Sequence, residues 1–246
     1  MLMRPLGGAE DKELEIFPAG PNSISSPATM GRVGAVSCGI GVGLVTLKNI
    51  DMDMLMSPIS VSIGIHKEID AGLSVPYTYN IIEHSPDLKG FGDVGASFNY
   101  HFLNEEDFGV GIGFGLNLNI PTSSKELSYT ENKLDISGTA KIEKRFLNTV
   151  FTFNYIYNYA DLGKIKYPHS HGYAAAISQG FSRVFSGSVE INIPDIKAVK
   201  GQRTRILYAG LRTSLLQNAG ISLLYGINLG SGDMKNIGIA SLSFSY

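Results

Sequence analysis

The chain has 246 residues, of which 17% are charged and 43% hydrophobic, with a formal net charge of −2 and a pI near 6.2. That composition is too apolar for a disordered chain, and its weak acidity leaves no electrostatic footprint for nucleic acid. No stretch approaches ~18 uninterrupted apolar residues, which excludes a transmembrane helix, and a lone cysteine, Cys38, excludes an intrachain disulfide.

Residues 1–30 hold Gly7-Gly8, four prolines (Pro5, Pro18, Pro21, Pro27) and an acidic patch at Glu10, Asp11, Glu13 and Glu15. With no alternation of apolar and polar positions, this segment reads as an irregular arm. From residue 31 onward the pattern changes to period two, the signature of strands with two different faces. Cys38 shares a face with Val36, Ile40 and Val42 and reads as a small outward-facing hydrophobe. Val110, Ile112, Phe114, Leu116, Leu118 and Ile120 oppose Gly111, Gly113, Gly115, Asn117 and Asn119. Leu134, Ile136, Gly138, Ala140 and Ile142 oppose Asp135, Ser137, Thr139, Lys141 and Glu143. Phe151, Phe153, Tyr155, Tyr157 and Tyr159 oppose Thr152, Asn154, Ile156 and Asn158. Ala219, Ile221, Leu223, Tyr225, Ile227 and Leu229 oppose Gly220, Ser222, Leu224, Gly226 and Asn228. At the C-terminus, Gly238, Ala240, Leu242, Phe244 and Tyr246 oppose Ile239, Ser241, Ser243 and Ser245.

These segments run about nine to twelve residues, the length that crosses a bilayer at a barrel's tilt and longer than ordinary strands. About twelve occur, centred near residues 33–47, 56–66, 70–80, 92–102, 108–120, 134–145, 149–159, 172–181, 185–194, 204–215, 219–229 and 237–246. Short connections at 67–70, 103–107, 146–148, 182–184 and 216–218 alternate with longer ones at 51–55, 81–91, 122–133, 160–171, 195–203 and 230–236. Short turns at one end and longer loops at the other are the rhythm of an outer-membrane barrel. The expected fold is therefore all-β: a single transmembrane antiparallel up-and-down β-barrel over residues 31–246, both termini periplasmic. The arm 1–30 then either plugs the lumen or hangs in the periplasm. Met1–Pro5 leads into no apolar h-region, so the exported barrel implies a start that is processed, truncated or misassigned.

Several details fit this expectation. Many of the 29 glycines alternate within apolar segments, where an inner wall must leave space. Tyr77 and Tyr79, Tyr100 and Phe102, and Tyr157 and Tyr159 stand near strand ends, as interfacial girdles do. Leu242, Phe244 and the terminal Tyr246 form the apolar, aromatic-ended last strand typical of a membrane-assembly signal.

Charges on faces opposite apolar residues must point inward, because a charge facing lipid is costly. The lumen-lining candidates are Asp135, Lys141, Glu143, Glu190 and Arg212, with Asn117, Asn119 and Asn154. They form either a constriction that selects solutes or an ion-pair network filling a narrow interior. His66 and His101 also read inward, near the periplasmic rim. His169-Ser170-His171-Gly172 departs from the His-x-Ser-Asn-Gly of outer-membrane phospholipase A, and reads as a pair of ordinary histidines at a loop edge. No catalytic set, metal site or cofactor is expected. Lys197, Lys200, Arg203 and Arg205 form a basic loop, read as solvated, with lipopolysaccharide phosphate as the other reading.

Gly90-Phe91-Gly92-Asp93-Val94-Gly95 opens one strand, and Asn119-Ile120-Pro121-Thr122 closes the next. Over residues 55–246 this resembles the outer-membrane family named for the meta-pathway of phenol degradation, with Ser123 where the family carries glycine. The resemblance implies a single-chain barrel passing small, often hydrophobic compounds, with Gly90, Gly92, Asp93 and Pro121 shaping turns. The expected function is a narrow outer-membrane channel; the alternative is a closed structural or surface-binding barrel. Expected partners are the lipid bilayer with lipopolysaccharide, the outer-membrane assembly machinery and a small-molecule solute, and no nucleic acid.

Overall fold

The computed structural model describes residues 33–47, 52–82, 88–123, 134–160, 169–182, 184–194, 204–216, 218–232 and 234–246; the arm 1–30 lies outside them. Thirteen strands follow in order: β1 (Val36–Leu47), β2 (Met52–His66), β3 (Ile69–Ile82), β4 (Leu88–Phe91), β5 (Val94–Leu103), β6 (Gly111–Ile120), β7 (Asp135–Phe146), β8 (Thr149–Ala160), β9 (His169–Gly180), β10 (Phe185–Ile193), β11 (Ile206–Leu216), β12 (Ala219–Asn228) and β13 (Met234–Ser245). One four-residue helix, α1 (Glu105–Phe108), turns β5 into β6 and ends on Gly109 at φ +71°.

Neighbouring strands pair antiparallel, and β13 returns to β1 from Ser37↔Ser245 to Leu47↔Met234, so the sheet closes. The C-terminal Tyr246 belongs to this seam, exchanging backbone hydrogen bonds with Val36 at 2.9 and 3.0 Å. β4 and β5 share one position in the wall: β4 pairs with Tyr77–Asn80 of β3, and β5 with Ile69–Ser74. Thirteen strands therefore make a closed antiparallel barrel of twelve staves.

Several boundaries differ from the expectation, and in three places pairing adds strand beyond the apolar run that announces it. β2 begins at Met52 and pairs Met52↔Ile82. The segment before Gly92 contains β4. His169-Ser170-His171 opens β9 rather than ending a loop, since Tyr159, Asn158 and Tyr157 of β8 pair with these three residues.

Period two sorts the wall into two surfaces. Outside lie aliphatics such as Ile40, Val42, Leu73, Leu116, Ile177, Leu211 and Leu223, all well exposed. Aromatics bracket this belt: Tyr100, Phe102, Phe151 and Phe185 toward the end carrying the termini, Tyr77, Phe91, Tyr157 and Tyr159 toward the loop end. Cys38 is exposed on the same outer face. An apolar belt between aromatic rings is the surface that lipid solvates best.

Candidate functional site

The interior has two differently filled zones. Toward the loop end, Val45 (β1), Ile206 and Tyr208 (β11), Leu224 (β12), and Ile237 and Ile239 (β13) turn inward and pack into one buried apolar cluster. Leu47, Met54, Met56 and Met234 lean on it. The Tyr208 hydroxyl finds a polar partner, the side chain of Asn192 on β10.

The second zone crosses β3, β5, β6 and β7. Lys141 Nζ on β7 donates to Asn99 Oδ1 on β5 at 2.6 Å, and Asn99 Nδ2 donates to Asp70 Oδ1 on β3 at 2.7 Å. His101 Nε2 donates to Asp70 Oδ2 at 2.8 Å. Lys141 reaches Asn99 only by crossing β6, whose inward positions there are Gly113 and Gly115. A Cβ on Gly115 would stand 2.9 Å from Asn99 Oδ1 and 3.2 Å from Lys141 Cε. The glycines are thus a corridor for a neighbour's side chain. The same device recurs elsewhere: Arg212 lies over Gly220, with Nε and a guanidinium nitrogen 3.5 Å from where its Cβ would be, and Tyr208 lies over Gly226. The space that the glycine pattern predicts exists, and crossing side chains fill much of it.

The remaining candidates separate by exposure. Lys141 is 4% exposed, Glu143 2%, Glu190 3% and Asn154 0%, so these belong to the packed interior. Glu190 stands on β10 opposite Tyr208 of β11, three staves from Lys141, and Arg212 lies opposite Ser186 and Ser222. Asn117 and Asn119 are exposed, and Asp135, paired with Asn119, is partly so. His101 is buried, while His66, beyond an irregular register at the end of β2, is exposed.

No family profile and no curated protein matches the sequence. Solved structures do. The KdgM porin superposes with a TM-score of 0.60 at 8% identity, over 85% of this chain and 99% of its own. The toluene transporters TodX of P. putida and TbuX of Ralstonia pickettii each give a TM-score of 0.50, at 9% and 8% identity. They cover 90% of this chain, and 92% and 91% of their own. The fold is that of an outer-membrane β-barrel. At these identities the likeness concerns architecture alone.

Within the barrel the two motif segments meet. Val94 and Gly95 pair with Ile120 and Asn119. Asp93 Oδ1 accepts hydrogen bonds from the backbone of Thr122 and Ser123 at 3.1 and 3.0 Å, and Thr122 Oγ1 accepts one from Val94 N at 3.0 Å. Gly92 N bonds Pro76 O at 2.7 Å, and a Cβ there would press on the Pro76 ring at 2.9 Å. Asp93 therefore clasps two strand ends across the sheet. Gly90 lies within β4 opposite Thr78, and Pro121 directly follows β6.

His169 and His171 face outward, where their Nδ1 atoms share hydrogen bonds with the Tyr157 and Tyr155 hydroxyls at 2.7 and 2.5 Å. Among the described residues, no group of three His, Cys, Asp or Glu could hold a metal ion. Arg205 is exposed; Lys197, Lys200 and Arg203 lie outside the described residues. In the relay, Asp70 and Asn99 are polar residues that the sequence candidates did not include. The signal was present, since both alternate with apolar neighbours, Asp70 with Ala71 and Leu73 and Asn99 with Phe98 and Tyr100.

Proposed function

We propose that this chain is an outer-membrane channel that passes small solutes through its lumen, and is not an enzyme. The observation that carries this reading is the uneven sealing of the inner wall: buried at the apolar cluster and at the Lys141 relay, yet water-accessible along a band between them. The apolar belt between aromatic rings suits an outer membrane, with both termini periplasmic and the longer loops outside, where lipopolysaccharide would meet them. The last strand, with Leu242, Phe244 and Tyr246 on its outward face, suits recognition by the assembly machinery.

Among the similar structures one is a porin and two are toluene transporters, so the barrel serves either solute class and the inner wall decides. The family resemblance implies a hydrophobic preference, and the apolar inner cluster is a feature of the inner wall with that chemistry. That cluster is packed on itself, which gives it the role of a seal. Single-channel recording in a planar bilayer tests the proposal, with a heat-dependent gel shift as the control for folding. Reproducible conductance steps are expected. Asp135→Lys, at the partly exposed loop end of the interior, should shift the cation-to-anion permeability ratio toward anions by about threefold. A folded barrel without conductance would overturn the channel and leave a closed structural barrel.

A further inference from the structure

Inside a closed barrel, inward side chains that water still reaches mark the open part of the interior, and here they follow the register. One row of paired positions runs through Ser243, Gly39, Ser60, Ser74, Gly95 and Asn119. The adjacent row runs through Ser37, Ser62, Gly72, Ser97, Asn117 and Ser137. Every one of these twelve positions is partly or fully exposed. Because barrel strands tilt, a row of directly paired residues climbs the wall as it goes round. It starts beside Ser245 and Ser37, at the end carrying the termini, and reaches Asn117, Asn119 and Ser137 at the loop end.

Both flanks are more fully packed than the band itself. On the loop side the next inward positions are Ser241, Gly41 and Pro58, all buried, and above them the apolar cluster begins. On the other side lie the buried Thr139 and Lys141, then the half-buried Asn99 and Asp70, whose side chains are taken up by the hydrogen-bond relay. The exposed band is thus continuous and two positions wide, and the half-buried inward groups beside it, Pro76, Asp93, Asn99 and Asp70, are apolar or already hydrogen-bonded. Its surface carries hydroxyls and primary amides. Ser60, Ser97 and Ser74 each lay a hydroxyl over a glycine of the next stave, 2.9, 2.8 and 2.5 Å from where the Cβ of Gly39, Gly72 and Gly95 would be. The glycines therefore admit hydroxyl groups lying along the wall. Among the described positions of the two rows no side chain is charged; the carboxylates beside them are Asp135 and Asp93 at the loop-end exit and Asp70, which is held by Asn99 and His101.

From this we infer that the band is the permeation route, and that its solutes are small, uncharged molecules bearing several hydroxyl or amide groups. Hydroxyls and amides both donate and accept, so they replace a polar solute's water without fixing one orientation. They offer no compensation for a desolvated charge or for an extended apolar surface. This inference rests on the channel reading above.

The test is flux into proteoliposomes holding the full chain, in a Cys38→Ser background with single substitutions Ser74→Cys, Ser97→Cys, Asn117→Cys and Ser178→Cys. Ser178 is inward but buried on β9, away from the band. A water-soluble methanethiosulfonate should modify the first three thiols and spare the fourth, by mass. Modification at Ser97→Cys should lower arabinose entry about tenfold, and the unmodified barrel should pass arabinose several-fold faster than gluconate or glucosamine. Arabinose entry that survives full modification at Ser97→Cys would overturn the route alone. Charged analogues entering as fast as arabinose would overturn the solute class. A folded barrel passing no solute at all would instead overturn the channel reading.

Discussion

β1 and β6 carry the same inner-face pattern, glycine at three successive inward positions: Gly39, Gly41 and Gly43 on β1, and Gly111, Gly113 and Gly115 on β6. Their surroundings are opposite. Around Gly41 and Gly43 the nearest side chains are Pro58, 3.3 Å from the Cβ position, and Ile239, 3.5 Å away, at the edge of the apolar cluster. Over Gly115 lie Asn99 and Lys141, the core of the polar relay. A glycine run on an inner face announces that a neighbour's side chain crosses there. What crosses is set by the residues that register brings alongside. Over Gly41 and Gly43 the crossing groups gain by leaving water; over Gly115 they must keep every hydrogen bond, because a buried ammonium or amide without a partner is costly.

That contrast can be broken at its polar end first. Gly115→Val puts a branched side chain where Lys141 passes, stranding a buried ammonium, and should cost about 3–5 kcal/mol or abolish the folded barrel. Urea unfolding in detergent, followed by the heat-dependent gel shift, reads this directly. At the apolar end, Ile237→Ala removes packing from the cluster around Val45 and Leu224 and should cost about 2–4 kcal/mol in the same assay. The smallest effect sharpens the comparison most. Gly43→Ala meets only ordinary contacts, Ile239 Cγ1 at 3.5 Å and Gly238 O at 3.6 Å, and should stay within about 0.5 kcal/mol of the wild type. If Gly43→Ala proved as damaging as Gly115→Val, the difference between the two corridors would not exist.

Much of the architecture was legible because a β-strand has a period of two and lipid enforces it on every stave. Val110–Ile120 and Ala219–Leu229 announced their faces residue by residue, and the structure places Ile112, Phe114 and Leu223 outside and Gly115, Asn117 and Leu224 inside. Alternation could not show β4, which is only four residues long and is defined by its pairing with Tyr77–Asn80. It could not place His169 in a strand, because only Tyr159 across the ladder makes it one. Candidate lumen residues were legible as inward and illegible as buried or open: Asn154 and Asn117 have the same chemistry and the same period, and one is fully buried while the other is exposed.

The sequence by itself determined the number of wall segments, their length and which side of each faces lipid, since these depend on the local order of apolar and polar residues and on the cost of a charge in hydrocarbon. The tertiary structure decided which residues meet across the wall. Lys141 finds Asn99 forty-two positions away, and Asp93 clasps Thr122 and Ser123. Ser37, Ser62 and Gly72 line up into a continuous row only through registers that a shift of one residue would turn to the other face. Faces are a local property of the chain; register and stagger are properties of the closed sheet, and they fix where this barrel is filled and where it stays open.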